Sequence, residues 1–148
     1  MNKMRFTLAS MALTAGLLFS SCGNDDGPRA SITGKWDYLK TITQVDNQNP
    51  SSVNYPGHEP GCDKDYQEFL EGGSFRDVAL FQDQDDNCNE FADSGEYALN
   101  GDLLTIQVDG EVAETFTVTK LTGAELRYES TAQTGGVSIT VTQVFRKK

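Results

Sequence analysis

The stretch NGDLLTIQVDG at residues 100–110 decides the fold of this 148-residue chain. A polar turn comes first, a short strand pattern follows, and Asp109-Gly110 forms a second turn. Within the strand, Leu104, Ile106 and Val108 alternate with polar residues, so one face is apolar and the other polar. Such alternation is typical of an antiparallel sheet with one buried face and one face in water.

The same alternation between turn signals continues through most of the chain. In the C-terminal half, Leu126 and Tyr128 share a face, as do Val137, Ile139 and Val141. No stretch has the spacing of an amphipathic helix. The pattern predicts eight strands, separated by turns and by one long loop at 44–63, at residues 35–43, 64–70, 74–81, 88–99, 103–108, 111–121, 124–130 and 137–146.

The lengths of the connections distinguish a barrel from a sandwich. Short links join most successive strands, and eight such strands can close into a barrel without exposed edges. A Greek-key sandwich needs long crossings between its sheets, and only the loop at 44–63 is long. We therefore predict an all-β, eight-stranded antiparallel up-and-down barrel in preference to a sandwich. Glu114 interrupts the apolar face of its strand, which indicates either a bulge or a polar group at the barrel mouth.

The N-terminus has the layout of a secretory signal. Lys3 and Arg5 precede an apolar stretch at 6–19, which is shorter than the ~20 residues that a spanning helix needs. Ser20-Ser21-Cys22 follows and resembles a bacterial lipobox, which implies cleavage before Cys22 and its acylation. The alternative is a plain secreted protein. The chain is thus divided into a signal peptide at 1–21, a lipidated flexible tether at 22–31 and a folded domain at 32–148.

Acylation at Cys22 would anchor the protein, because two or more acyl chains hold firmly to a membrane. Asp25 and Asp26 follow closely and resemble the surface-export signal of Bacteroidetes-type lipoproteins, although they also suit a solvated linker. We expect a lipid-anchored protein of the bacterial outer membrane, with export to the cell surface favoured. The formal net charge of −10 disfavours nucleic-acid binding, because the phosphates would be repelled.

With Cys22 assigned to lipid, Cys62 and Cys88 remain as a pair in an oxidising compartment. We predict a disulfide between them, for which the chain-entropy model gives about 3.5 kcal/mol of stabilisation. Metal binding is the alternative, but the chain has a single histidine, His58, in a loop dense in turn residues. A solvated role for His58 is favoured, and we predict no metal site and no cofactor.

The acidic run that begins at Asp83 offers oxygens at alternate positions, as a calcium loop does. Its sixth position is Cys88 rather than glycine, and its twelfth is Ser94 rather than glutamate. The run therefore fails as an EF-hand. A solvated acidic loop is the favoured interpretation, and weak calcium binding is the alternative.

Several motifs in the folded domain together resemble the lipocalin-like domain of small Bacteroidetes lipoproteins. They are Gly34-Lys35-Trp36 at the start of the first strand, the stretches at 69–75, 95–97 and 100–106, and Val144-Phe145-Arg146 near the end. The resemblance covers residues 32–148. It implies a calyx closed by Gly34, Trp36 and Arg146, in which Trp36 plugs the closed end and Arg146 packs across its ring as a cation–π contact.

The sequence contains no motif of a nucleophile with its base, a metal cluster or a phosphate-binding glycine loop, so we predict no enzyme. The first functional hypothesis is a binding module that holds one small hydrophobic ligand in a small apolar cavity. Its candidate ligand-binding residues are Tyr55, Phe69, Phe75, Tyr97, Phe116 and Tyr128. The second hypothesis is a surface structural or interaction protein whose barrel is filled by its own side chains. A monomer is expected.

Overall fold

The computed structural model describes residues 30–148. The predicted signal peptide at 1–21, Cys22 and most of the predicted tether lie outside the described residues. Among residues 30–148, no helix has the length and apolar character needed to cross a membrane. One antiparallel sheet contains β1 (Gly34–Val45), β2 (Ser51–Asn54), β3 (Tyr66–Phe69), β4 (Ser74–Gln82), β5 (Cys88–Asn100), β6 (Leu103–Val108), β7 (Glu114–Leu121), β8 (Glu125–Thr134) and β9 (Val137–Lys147).

Eight of these strands close into a barrel. From β3 to β9 each strand pairs with the next, and β1 pairs with both β3 and β9. The ladder between β1 and β9 runs from Trp36 opposite Lys147 to Val45 opposite Ile139. The predicted eight-stranded antiparallel up-and-down barrel is therefore confirmed over the sandwich.

The remaining strand, β2, lies where the sequence analysis predicts only a loop. Its Val53 is opposite Thr41 in the second half of β1, whereas the first half of β1 pairs with β3 along the same edge. The prediction of an uninterrupted loop at 44–63 is wrong here. Four residues, three of them polar, are too few to show an alternating pattern.

The loop between β2 and β3 packs against β1 and β4. The Nδ1 atom of His58 accepts the Asp65 amide, and its Nε2 atom lies 2.9 Å from the Tyr38 carbonyl oxygen. Both bonds form when the ring is neutral and carries its proton on Nε2. The buried Asp65 carboxylate accepts the Leu80 amide of β4 and the Tyr55 hydroxyl. His58, which the sequence analysis places in solvent, is therefore half-buried and ties the loop to β1.

The predicted disulfide is present and fixes the same loop to β5. Cys62 and Cys88 are bonded, with their Cα atoms 5.6 Å apart. That separation is the usual one for a disulfide. The loop is thus held on one side by His58 and on the other by the disulfide, and the two sulfur atoms are not free to bind a metal.

The apolar core lies toward one end of the barrel, which we call the closed end. The indole N–H of Trp36 donates to the Ile32 carbonyl at 2.6 Å, so the segment before β1 packs over this end. Each large apolar side chain buried there contributes about 1.5–3 kcal/mol. The opposite end, with the connections after β4, β6 and β8, is the open end. The largest fully buried side chains include Trp36, Phe69, Phe75, Leu104, Leu126 and Phe145.

Candidate functional site

A cavity of about 270 Å³ lies inside the barrel toward the open end. Its volume is just below the range of roughly 300–1,000 Å³ that is usual for small-ligand pockets. The apolar part of its lining is supplied mainly by Phe75, Ile106, Phe116 and the ring of Tyr128. The barrel is therefore not completely filled by its own side chains, which is what the second functional hypothesis assumes.

The polar part of the lining corrects the expectation of an apolar cavity. Carboxylates, amides and phenols account for seven of the twelve lining side chains, and these are Tyr38, Gln67, Asp77, Glu111, Glu114, Tyr128 and Gln143. Glu114 lies at the cavity as a polar group, whereas the register shift in β7 falls between Val118 and Lys120. Of the two explanations for Glu114, the polar group at the mouth is therefore the right one.

A chain of four hydrogen-bonded side chains crosses the cavity floor. The Tyr38 hydroxyl donates to the Asp77 carboxylate, with oxygen–oxygen distances of 2.7 and 2.8 Å. Because the Tyr38 hydroxyl donates its proton to Asp77, its oxygen can accept a hydrogen bond, and the Gln67 side-chain amide nitrogen donates to it at 2.9 Å. The Gln67 carbonyl oxygen then accepts the Tyr128 hydroxyl at 2.9 Å. The donors all act in one direction, and the chain ends on Asp77.

Burial sets the protonation of this chain. It raises the pKa of Asp77, although the hydrogen bonds from Tyr38 and Gln67 favour the charged form. Burial also raises the pKa of the Tyr38 and Tyr128 hydroxyls, and the negative charge of Asp77 acts in the same direction. Both phenols consequently remain proton donors at neutral pH.

The strands position these polar groups by simple alternation. On each of five strands, a polar side chain lies two residues from an aromatic side chain, on the same face and nearer the open end. In β1 and β4 the pairs are Trp36 with Tyr38 and Phe75 with Asp77. The corresponding pairs in β3, β7 and β9 are Phe69 with Gln67, Phe116 with Glu114 and Phe145 with Gln143.

The six candidate ligand-binding residues occupy different places. Phe75, Phe116 and Tyr128 line the cavity. Phe69 and Tyr97 are in the packed core instead, with ring centroids 5.0 Å apart, and the Tyr97 hydroxyl donates to the Leu70 carbonyl. The ring of Tyr55 stacks on Tyr38 at 4.5 Å and is not part of the lining.

The predictions miss five polar lining residues. Glu111 lies in a loop, and the other four, Tyr38, Gln67, Asp77 and Gln143, lie on strands. The signal that could have found them is the one already used for the strands. Counting two residues from Trp36, Phe69, Phe75 and Phe145 identifies all four.

The residues expected to close the barrel need one correction. The cation over the Trp36 ring is Lys147, whose Nζ atom lies 4.3 Å from the ring centroid. Its Nζ atom also donates to the Thr33 carbonyl at 2.6 Å. Arg146 is exposed and lies opposite Asp37, because it is one residue out of phase with Phe145.

Gly34 makes room for this contact. It has a φ of +120°, and a Cβ atom built on it would collide with the Lys147 ammonium group. A side chain at this position would be strained in its backbone and would displace the cation. Burial lowers the pKa of Lys147.

In the acidic loop after β4, the Asp83 carboxylate accepts hydrogen bonds that stabilise a turn. One Asp83 oxygen accepts the amides of Asp85 and Asn87, each at 2.9 Å, and the other accepts the Asn89 side-chain amide. These hydrogen bonds, from Asn87 first, lower the pKa of Asp83. In the part of the chain that the structure describes, no three histidine, cysteine or acidic side chains gather as metal ligands would.

A family model described as a lipocalin-like domain matches residues 32–128. This chain belongs to the lipocalin-like domain family. The match begins just before β1 and extends into β8, so it includes most of the barrel and of the cavity lining.

Two solved structures are similar to this chain at low sequence identity. A lipocalin-like protein from Bacteroides uniformis is 21% identical, with 78% of this chain and 97% of that chain covered and a TM-score of 0.47. Lobster apocrustacyanin A1 is 16% identical, with 78% and 60% covered and a TM-score of 0.48. No curated protein matches this sequence.

Proposed function

We propose that this protein is a non-enzymatic binding module that holds one small hydrophobic ligand in the barrel and is anchored to the outer membrane through Cys22. The observation that carries the binding role is the cavity of about 270 Å³ beneath an open barrel end. Phe75, Phe116 and Tyr128 give it aromatic walls, and such rings supply most of the apolar contact in small-ligand sites.

Apolar side chains around the open end would extend the contact with a ligand. Val53, Phe81, Phe91 and Val112 are 65%, 46%, 61% and 87% exposed. Val112 is also part of the cavity lining. Apolar surface left in water beside a cavity is typical of a place where a ligand covers it.

Binding is tested with an apolar fluorescent probe on the full chain carrying Cys22→Ser, which removes the proposed acylation site. We expect saturable binding, weakened about tenfold or more by Val108→Trp, because that indole fills the cavity. Leu103→Trp is the matched control, since Leu103 is exposed on the same strand and away from the lining. Val112→Trp, on an exposed lining residue, tests the same point without altering the core. Equal probe binding by all four proteins would contradict the proposed cavity site.

The anchor is supported by the arrangement of the basic start, the apolar stretch and Ser20-Ser21-Cys22. Cells that express the full chain are labelled with palmitate. We expect label on the parent protein and none on Cys22→Ser, and protease treatment of intact cells then reports exposure on the cell surface. A mature N-terminus other than Cys22 would contradict the anchor while leaving the binding role intact.

A further inference from the structure

We propose that the barrel cavity selects an amphipathic amine, with the ammonium group held at Asp77 and Glu114 and the apolar part directed to the open end. This inference rests on the proposed function and names the class of its ligand. Three features of the lining favour this class of ligand, namely its charge, the direction of its hydrogen bonds and its aromatic rings.

The charge of the cavity has one sign. Asp77, Glu111 and Glu114 all line it, and no lysine, arginine or histidine of residues 30–148 does. The salt bridges elsewhere on the described barrel involve other carboxylates, so these three form no ion pair there. Asp93, opposite Asp77 in the β4–β5 ladder, adds a fourth negative charge beside the cavity.

A buried carboxylate without a cation is costly, because removal of the charge from water is not repaid by an opposite charge. Asp77 is partly buried and pairs with no cation of the described residues, and its pKa is raised, chiefly by burial. An ammonium group that enters the cavity would supply the missing charge. A fatty acid would bring a second negative charge to the same place and raise the cost.

The hydrogen bonds of the site lead to the same class of ligand. The Tyr38 proton is donated to Asp77, and the Tyr128 proton is donated to Gln67. Both phenol protons are therefore used within the protein, and the charged groups that line the cavity, Asp77, Glu111 and Glu114, are all hydrogen-bond acceptors. An ammonium group offers three donors and no acceptor, which matches this arrangement.

Aromatic rings on the cavity wall favour a cation as well. Tyr38, Phe75, Phe116 and Tyr128 all line the cavity, and the rings of Phe116 and Tyr128 lie 4.8 Å apart. The face of an aromatic ring attracts an ammonium group, and most strongly where water is excluded. Carboxylates together with rings therefore bind a cation better than either would alone.

The open end accommodates the apolar part of such a ligand. Asp77, Ala79 and Phe81 share one face of β4. Phe91 of β5 lies opposite Ala79 and therefore on the same face of the sheet. Val112, in the loop between β6 and β7, also lines the cavity. An amine with its charge on the cavity floor would thus place its hydrocarbon against side chains that are now exposed to water.

The test compares octylamine, octanol and octanoate, which differ only in the head group. Binding to the full chain carrying Cys22→Ser is measured by calorimetry at neutral pH. We expect octylamine to bind about tenfold or more tightly than octanoate, since its ammonium group forms charge-assisted hydrogen bonds to the carboxylates, which a second carboxylate cannot do. The preference should fall in Asp77→Asn and in Glu114→Gln. It should persist in Glu71→Gln, which makes the same change of charge on an exposed turn at the closed end.

Each outcome decides between distinct statements. If octanol or octanoate binds as tightly as octylamine, the inference is overturned and the proposed hydrophobic-ligand function stands. If the amine preference survives in both cavity variants, the assignment to Asp77 and Glu114 is overturned. If none of the three ligands and no apolar probe binds, the proposed function fails and the inference fails with it. Glu114→Gln, on an exposed residue at the mouth, keeps the test decisive should Asp77→Asn fold poorly.

Discussion

The closed end and the open end of this barrel are built from the same strands, yet they have opposite chemistry. At the closed end, Trp36, Phe69 and Phe145 are completely buried, and the ammonium group of Lys147 covers the Trp36 ring. At the open end, carboxylates line a cavity and large apolar side chains remain in water. A filled end that stabilises the fold allows the other end to keep costly groups that a ligand can use.

The comparison is tested most strongly by Trp36→Ala. Removal of a fully buried indole leaves a void that the barrel cannot collapse around, so we expect a loss of about 3–5 kcal/mol. Phe91→Ala at the open end should change stability by no more than about 0.5 kcal/mol, because that ring is already largely exposed. The free energy of unfolding in urea measures both. Similar losses for the two variants would show that the ends do not differ in this way.

The disulfide gives the next largest effect and concerns the open end. Replacement of both Cys62 and Cys88 by serine in the Cys22→Ser chain should lower the free energy of unfolding by about 3.5 kcal/mol, because the bond closes a loop with a sequence separation of 26. Reduction of the parent by dithiothreitol should cost about the same amount and serves as the control. We also expect weaker probe binding, because the tethered loop supplies His58 and Tyr55, which hold Tyr38 in place. A loss of stability without any change in binding would separate the loop from the cavity.

Much of the fold could be predicted from the sequence, because an antiparallel meander depends on local signals. Alternation and turn residues locate the strands of the barrel, and the connection lengths favour closure. Strand β2 could not be found in this way, since it forms only by pairing with β1. Pairing between distant segments leaves little trace in four mostly polar residues.

The site was less predictable than the fold for a different reason. The selection of aromatic residues as ligand contacts overlooked the polar neighbours on the same strand faces, such as Gln67 and Asp77. The choice of Arg146 over Lys147 was an error of one residue, and one residue moves a side chain to the other face of a strand. Which rings fill the core and which leave a cavity depends on side-chain packing, which no spacing rule contains.

A smaller effect tests the correction at the closed end. Lys147→Met removes a cation–π contact and a hydrogen bond to Thr33, so we expect a loss of about 1 kcal/mol in the free energy of unfolding. Arg146→Met is the matched control. It also removes one positive charge, but from the exposed side chain of the neighbouring residue. That variant should remain within about 0.5 kcal/mol of the parent. A larger loss for Arg146→Met than for Lys147→Met would restore the original assignment of the cation.

The smallest effect, and the one with the opposite sign, is expected at Asp77. Its pKa is raised in the folded state, chiefly by burial, so the folded protein binds a proton more tightly than the unfolded chain. The group therefore contributes stability that is present at acid pH and is lost as pH rises through the raised pKa. At neutral pH the charged carboxylate lowers the stability of the fold.

Asp77→Asn removes this penalty and keeps an oxygen that accepts the Tyr38 hydroxyl. We expect the urea midpoint of the variant to equal or exceed that of the parent at about pH 7, and the difference to vanish below about pH 4. Glu71→Gln, on the exposed turn at the closed end, is the control for the loss of one charge away from Asp77. A variant less stable than the parent at neutral pH would mean that the carboxylate stabilises the empty barrel. The carboxylate at the open end would then stabilise the fold, and the difference between the two ends would no longer indicate a ligand site.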